Sequence, residues 1–511
     1  MTRAMNTSRS LKTMAASSLL LVTLLVDWTA SAQGYVTSPQ ALPPRRQLEW
    51  LKEMSIEMAT APELSSDQLK TAPQIIDALA HMQESNKENC VILESLVKRI
   101  IDEQRAGNHD VQDLTVEDYN CLLESWARSG EGDAAAERSE QILQAMQEHG
   151  LSPNLSSFKA VLMAWRHATD CSYAPFRAQR ILEWMIQLYS TGENDYSFPD
   201  ADCFDICLQT WSRSGHPEAP QRAEELLVTM ERLYERSQSE RIQPRVTSFN
   251  VVLAAWARSK GENAAERASD ILGFMEKLPN VKPDAASYCT VLTALSRNHP
   301  NPEVAATKAT VFLRHALEDA KTREPNLELD TILFNTAMGL WSHTNSPTAF
   351  QKAYVILQHQ RELYNVYGHE SCRPDVYGFT SVLACCASTP NNESFGAAWQ
   401  VAEATYEMLR EEDKPNHVSF ATMLKATGRL LSHDRRARHA WARKVFGHAV
   451  AAGCVNEFVL KRLELAVTPK IYRELLEGHS ADSLPPSWTA NANQLTRTKT
   501  YRRRRRRRAE V

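Results

Sequence analysis

One frame recurs along this chain: an aromatic residue, apolar residues three and four positions later, and tryptophan at the seventh. It is complete at Tyr119/Leu122/Leu123/Trp126, Phe158/Val161/Leu162/Trp165, Phe204/Cys207/Leu208/Trp211, Phe249/Val252/Leu253/Trp256 and Phe334/Ala337/Met338/Trp341. It persists without tryptophan at Tyr288/Val291/Leu292/Leu295, Phe379/Val382/Leu383/Cys386 and Phe420/Met423/Leu424/Thr427. That spacing puts four side chains on one stripe of an α-helix, so each copy predicts a helix with one buried face. The tryptophans then belong to packing between helices rather than to a stacking platform.

A second apolar period follows each of these helices, as in Ala178/Ile181/Leu182/Met185, Ala223/Leu226/Leu227/Met230 and Ala268/Ile271/Leu272/Met275, and predicts a partner helix antiparallel to the first. Copies close on proline turns: Pro153-Asn154, Pro199-Asp200, Pro244-Arg245, Pro283-Asp284, Pro374-Asp375 and Pro415-Asn416. Proline stops the second helix, and Asp or Asn accepts from the unpaired N–H groups at the start of the next one. Copies thus start near 116, 155, 201, 246, 285, 331, 376 and 417. A lone helix pair cannot bury its stripe, so the fold class expected is all-α: a right-handed α-solenoid of about eight helix-turn-helix repeats. Scarce glycine, 17 in 511 residues, and the absence of period-two β-branched runs agree with it.

Outside the array at 116–456, residues 33–115 are read as an N-terminal helical cap or degenerate repeat, and 457–479 as a C-terminal cap helix. Residues 480–511 form a disordered tail by composition, ending in the seven arginines Arg502 to Arg508. The formal charge is −4 despite that run, so the body is acidic, which counts against coating nucleic acid by bulk charge. The arginine run suits phosphate binding, a nuclear-localisation patch, or a tail with no selected role. At the other end, Arg3, Arg9 and Lys12 precede the apolar stretch Met14 to Val26 and the small-residue site Ala30-Ser31-Ala32. Residues 1–32 therefore read as a signal or targeting peptide, leading to a plastid by a signal-plus-transit route or to a mitochondrion, with the secretory pathway as alternative. The apolar stretch is too short for a stable membrane span. The ten cysteines include no CxxC and fall mostly on apolar helix positions, as reduced structural thiols would.

The fourth copy, VTSFNVVLAAWARS with AAERASDILGFME and VKPD, and the first, VEDYNCLLESWARS with ERSEQILQAMQEHGLSPN, carry a resemblance. They resemble the pentatricopeptide repeat family, over about two-thirds of the chain. The resemblance implies a non-catalytic protein that binds single-stranded RNA selectively in a groove, one base per repeat, in organellar RNA processing, stability or translation. In that family the residue after the first helix's aromatic and the last residue of the repeat read the base. Carried over, the pairs are Asn120/Asn154, Lys159/Asp200, Asp205/Arg245, Asn250/Asp284, Cys289/Asp330, Asn335/Asp375, Thr380/Asn416 and Ala421/Asn456. By resemblance Asn with Asp reads uracil, Asn with Asn a pyrimidine, and Thr with Asn adenine. Lys159/Asp200 and Asp205/Arg245 fit no such combination and either pair as ions or touch phosphate. The closing Asp and Asn residues serve equally as helix caps. Copies longer than the family's usual 35 residues, with extra length at Ala168 to Arg177 and Ser237 to Ile242, disturb a strict one-repeat, one-base register.

No deaminase zinc signature, P-loop or nucleophile elbow occurs, and the 55 residues after Asn456 cannot hold a metallonuclease domain. His299, His315, His343, His433, His439 and His448 are scattered. An enzyme is not expected, and no cofactor is implied. Single-stranded RNA is the expected partner, with other proteins besides. The alternative, a scaffold for protein–protein interaction, follows from the acidic body and the irregular pairs.

Overall fold

The computed structural model describes residues 44–61, 87–106, 113–278, 280–322, 327–390, 392–479 and 483–492, with isolated positions at 68, 72, 75–77 and 108. The targeting segment 1–32 and the arginine run 502–508 lie outside the described residues. Every regular element among the described residues is helical. In chain order these are α1 (Pro44–Thr60), α2 (Lys87–Arg105), α3 (Val116–Arg128), α4 (Asp133–Glu148), α5 (Leu155–His167), α6 (Ala174–Ser190), α7 (Ala201–Ser214) and α8 (Ala219–Ser237). Then come α9 (Val246–Arg258), α10 (Ala264–Lys277), α11 (Ala285–Asn298), α12 (Pro302–Thr322), α13 (Thr331–Ser342), α14 (Ala349–Asn365), α15 (Val376–Ser388), α16 (Phe395–Glu412), α17 (His417–Leu430) and α18 (Arg435–Ala451). The last three are α19 (Glu457–Ala466), α20 (Pro469–Leu475) and α21 (Pro486–Thr489). Among the described residues no helix is long and apolar enough to cross a membrane.

The chain divides within α9, between Ala255 and Trp256, into two compact units. In the first, α3, α5 and α7 lie side by side, and α4 and α6 each pack against the helices before and after them. In the second, α11, α13, α15, α17 and α19 form the side-by-side row, with α12, α14, α16 and α18 behind it. Each unit is thus a two-layered run of stacked helical hairpins, an α-solenoid arrangement.

The frame residues hold the layers together. Phe158, Trp165, Phe204, Trp211, Phe334 and Phe379 are fully buried, and Trp126, Trp256 and Trp341 nearly so. None of these indoles is a free stacking surface. Each buried aromatic side chain contributes roughly 1.5–3 kcal/mol through the apolar area it removes from water. Trp211 Nε1 donates to Gln179 Oε1 at 2.9 Å and Trp341 Nε1 to Thr310 Oγ1 at 2.9 Å, so the indole N–H is tied to the second layer as well.

The extra length is partly structured. Of 168–177, residues from Ala174 onward belong to α6, which Pro175 helps to start because its missing N–H would be unpaired there anyway. After α8 the chain makes a one-turn 3₁₀ segment, Glu240–Ile242, that buries Ile242 completely. The C-terminal segment differs from its composition in the same way. Trp488 is buried edge-on to Phe446 with ring centroids 5.8 Å apart. Val455 N donates to Trp488 O at 2.8 Å and Asn491 N to Gly453 O at 2.8 Å. One tryptophan is enough to dock residues that otherwise read as solvated.

Candidate nucleic-acid interface

Where one hairpin ends and the next first helix begins, the closing Asp or Asn takes the cap position. Asn154 accepts from Ser157 N at 3.1 Å, Asp200 from Cys203 N at 3.0 Å, Asp284 from Ser287 N at 2.8 Å and Asp330 from Leu333 N at 2.9 Å. Asp375 accepts from Gly378 N at 3.1 Å, Asn416 from Ser419 N at 3.0 Å and Asn456 from Val459 N at 3.0 Å. Arg245 cannot accept at the equivalent place; its own N–H is taken up by Ser248 Oγ at 3.3 Å.

The cap lies beside the residue that follows the previous helix's aromatic, because the two first helices pack side by side. Asn120 Nδ2 donates to Asn154 Oδ1 at 3.2 Å, and Asn335 Nδ2 to Asp375 Oδ1 at 2.9 Å. Cys289 Sγ donates to Asp330 Oδ1 at 3.5 Å, its thiol pushed up by burial and by that carboxylate. Thr380 meets Asn416 through Ser419, whose Oγ is 3.0 Å from Thr380 Oγ1 and donates to Asn416 Oδ1 at 3.2 Å. Asn250 belongs to the first unit and Asp284 to the second. Ala421 is fully buried and offers no polar group beside Asn456.

The two irregular pairs form one ionic network. Lys159 Nζ lies 2.8 Å from Asp200 Oδ2 and 2.9 Å from Asp202 Oδ2. Arg245 Nη2 lies 2.6 Å from Asp202 Oδ1 and 2.8 Å from Asp205 Oδ2. Hydrogen bonds from Arg245 and Lys159 hold the Asp202 carboxyl below the usual carboxylate range. Burial instead raises Asp205, against the opposing pull of Ser248 and Arg245. Three carboxylates therefore neutralise these two cations, leaving little of their charge for a phosphate.

Two other places carry cations with no carboxylate within ion-pair distance among the described residues. On α5 and α7, Arg166 is held down first by burial and then by the facing Arg213. Further on, the missing side chain of Gly428 lets α17 approach α19: a Cβ there would come within 3.2 Å of Ala466 Cα. One turn back on each helix, Lys425 and Arg462 stand together beside Arg429. Burial, then Arg462 and Arg429, depress the Lys425 ammonium. Lys425 shares the helical face of the pair residues, being four positions after Ala421.

Sequence spacing singled out the pairs but missed what supports them. Ser157 Oγ donates to Asn120 Oδ1 at 2.6 Å and Ser248 Oγ to Asp205 Oδ1 at 2.5 Å. The signal was present, a serine immediately before the aromatic at Ser157, Ser248, Ser287 and Ser419. Asp202 and the Lys425/Arg429/Arg462 group had no such signal, since only packing brings them together. Among the described residues no group of His, Cys, Asp and Glu is arranged to hold a metal.

Residues 104–166, which run from the end of α2 through α3 and α4 to the end of α5, match the model of the pentatricopeptide repeat domain. That match covers this one stretch of the 511 residues. No curated protein matches it in sequence. Among solved structures, the pentatricopeptide repeat protein PPR10 in complex with an 18-nucleotide psaJ RNA element is 16% identical, with TM-score 0.35, over 92% of this chain and 62% of that one. PPR10 from maize is 14% identical, with TM-score 0.37, over 94% of this chain and 66% of that one. Yeast Rmd9p in complex with a 16-nucleotide target RNA is 13% identical, with TM-score 0.32, over 83% of this chain and 84% of that one. The chain spans less than two-thirds of the length of either PPR10 structure.

Proposed function

We propose that this chain is a pentatricopeptide repeat protein that binds single-stranded RNA with base selectivity, without catalysis, through the pairs described above and the cations near them. The observation that carries this reading is the contact of Asn120 with Asn154 and of Asn335 with Asp375 at equivalent places in separate hairpins. Carboxamides and carboxylates held side by side match the donors and acceptors of a base edge. We assign residues 116–456 to the repeat array and 1–32 to targeting to a plastid or mitochondrion, where the protein acts on transcript processing, stability or translation.

The test is a titration of the full chain against a random single-stranded RNA pool, with duplex RNA and single-stranded DNA as competitors. Sub-micromolar, salt-sensitive binding that enriches particular bases supports the reading; equal affinity for all three, or none, refutes it. One observation favours a protein scaffold instead, the closed network of Lys159, Arg245 and three aspartates, which presents net negative charge. Co-purification of a partner protein that resists RNase, with no RNA selection, would establish that alternative.

A further inference from the structure

At the hairpin of α13 and α14 the usual supporting serine is missing. Where Ser157 and Ser248 donate to the pair residue of the preceding first helix, α15 has Gly378. A Cβ on Gly378 would lie 2.7 Å from Asn335 Oδ1, 2.9 Å from Met338 Cε and 3.7 Å from Gln360 Oε1. The Asn335 carboxamide has therefore sunk into the volume a side chain would take. Its Nδ2 is bound to Asp375, while its Oδ1, buried, receives no donor.

The second change in this hairpin lies against the first. Gln360 of α14 is fully buried, and neither its Oε1 nor its Nε2 has a partner. Seven residues after Ala353, it occupies the place that Met185, Met230 and Met275 take after Ala178, Ala223 and Ala268. An amide buried with both ends unpaired is costly, and a methionine would fill the place without that cost. The oxygen and nitrogen of a glutamine amide exchange places by rotation about its last bond. That rotation brings Nε2 to the side facing Asn335 Oδ1, through the gap left by Gly378.

We infer that Gln360 is a positioning residue for Asn335, doing from the second layer what serine does elsewhere: its Nε2 donates to Asn335 Oδ1 and fixes which way the carboxamide faces. With Oδ1 held inward, Asn335 presents its remaining N–H to the groove, and this hairpin selects a base that offers a carbonyl acceptor, such as uracil. Without Gln360 only the bond to Asp375 orients the carboxamide, so turned states that offer Oδ1, which accepts from the amino groups of cytosine or adenine, become more populated. This inference rests on the RNA reading above.

The variants are Gln360→Met, which copies the neighbouring hairpins and so preserves the fold, and Gln360→Met with Gly378→Ser, which rebuilds the serine arrangement. Each is assayed by competition among RNAs that differ only at the base assigned to this hairpin by selection. The single variant is expected to lose about five- to tenfold of the discrimination at that base and none elsewhere, the scale of one buried hydrogen bond; the double variant recovers it. An unchanged base preference with only a shifted melting temperature would mean that Gln360 is merely structural, and would overturn the inference. A denaturation cycle with Gln360→Met, Asn335→Ala and both together is independent of RNA. Measurable coupling supports the contact even if no RNA binds, whereas strictly additive effects exclude it.

Discussion

Neutralising Lys425, Arg429 and Arg462 together should change how RNA affinity responds to salt, whereas neutralising Lys159 and Arg245 should not. Among the described residues the first three cations have no carboxylate within ion-pair distance, and they crowd one another where α17 meets α19, so an incoming phosphate relieves repulsion there. The second two are already matched by Asp200, Asp202 and Asp205 at 2.6–2.9 Å. For a single strand, each phosphate neutralised contributes about 0.7 to the slope of log affinity against log salt. Replacing all three of the first set by glutamine therefore makes the slope shallower by about 2. Over a fourfold rise in salt, that is a difference of roughly 16-fold in relative affinity. Fluorescence anisotropy with one labelled RNA at several salt concentrations gives both slopes. The Lys159→Gln, Arg245→Gln variant serves as control: its affinity falls because three aspartates lose their partners, but its slope stays near that of the parent. Equal slopes for the triple variant and the parent, or a slope change just as large in the control, would refute the assignment of charge.

The remaining predictions concern stability and protonation. Trp211→Phe should cost about 1 kcal/mol more than Trp165→Phe in urea denaturation, since only Trp211 leaves an acceptor, Gln179 Oε1, behind it. Asn154→Ala removes both the cap on Ser157 N and the bond from Asn120, and is expected to lower stability by about 1–2 kcal/mol, with equal loss at pH 6 and pH 8. Burial holds His448, bonded to Tyr406 Oη, and His417 below the ordinary imidazole range. A histidine so depressed is neutral in both states above about pH 6.5, and the unfolded chain alone takes up the proton just below it. Stability should thus fall between pH 7 and pH 5, and His448→Gln should flatten that fall; the Asp202 contribution is lost only lower, as pH drops through its depressed folded value. All ten cysteines are free, and burial raises Cys203, Cys207, Cys385 and Cys386 far enough that a thiol reagent at pH 8 should reach them only after unfolding.

The helix frame was readable because packing of a first helix needs apolar groups at fixed spacing, and Phe158, Trp165, Phe204 and Trp211 sit at those positions and are fully buried. The capping role of Asn154, Asp284 and Asn416 was readable for the same reason, since a helix start constrains the residue type locally. What depends on contacts between distant residues was not. Lys159 and Arg245 share Asp202 only because α5, α7 and the start of α9 lie side by side. Gln360 reads as an ordinary polar position until its neighbours Gly378 and Asn335 are placed around it. Trp488 lies in a segment rich in proline and serine, and composition averages away the single residue that docks it.

The most direct test of RNA reading by the paired residues is an exchange at one pair: Asn335→Thr with Asp375→Asn, which turns this pair into the combination found at Thr380 and Asn416. Selection from a random RNA pool, run side by side on parent and variant, should yield the same consensus except at one base, which changes from uracil to adenine. A consensus that stays unchanged, or that degrades evenly at every position, would contradict base reading by these residues.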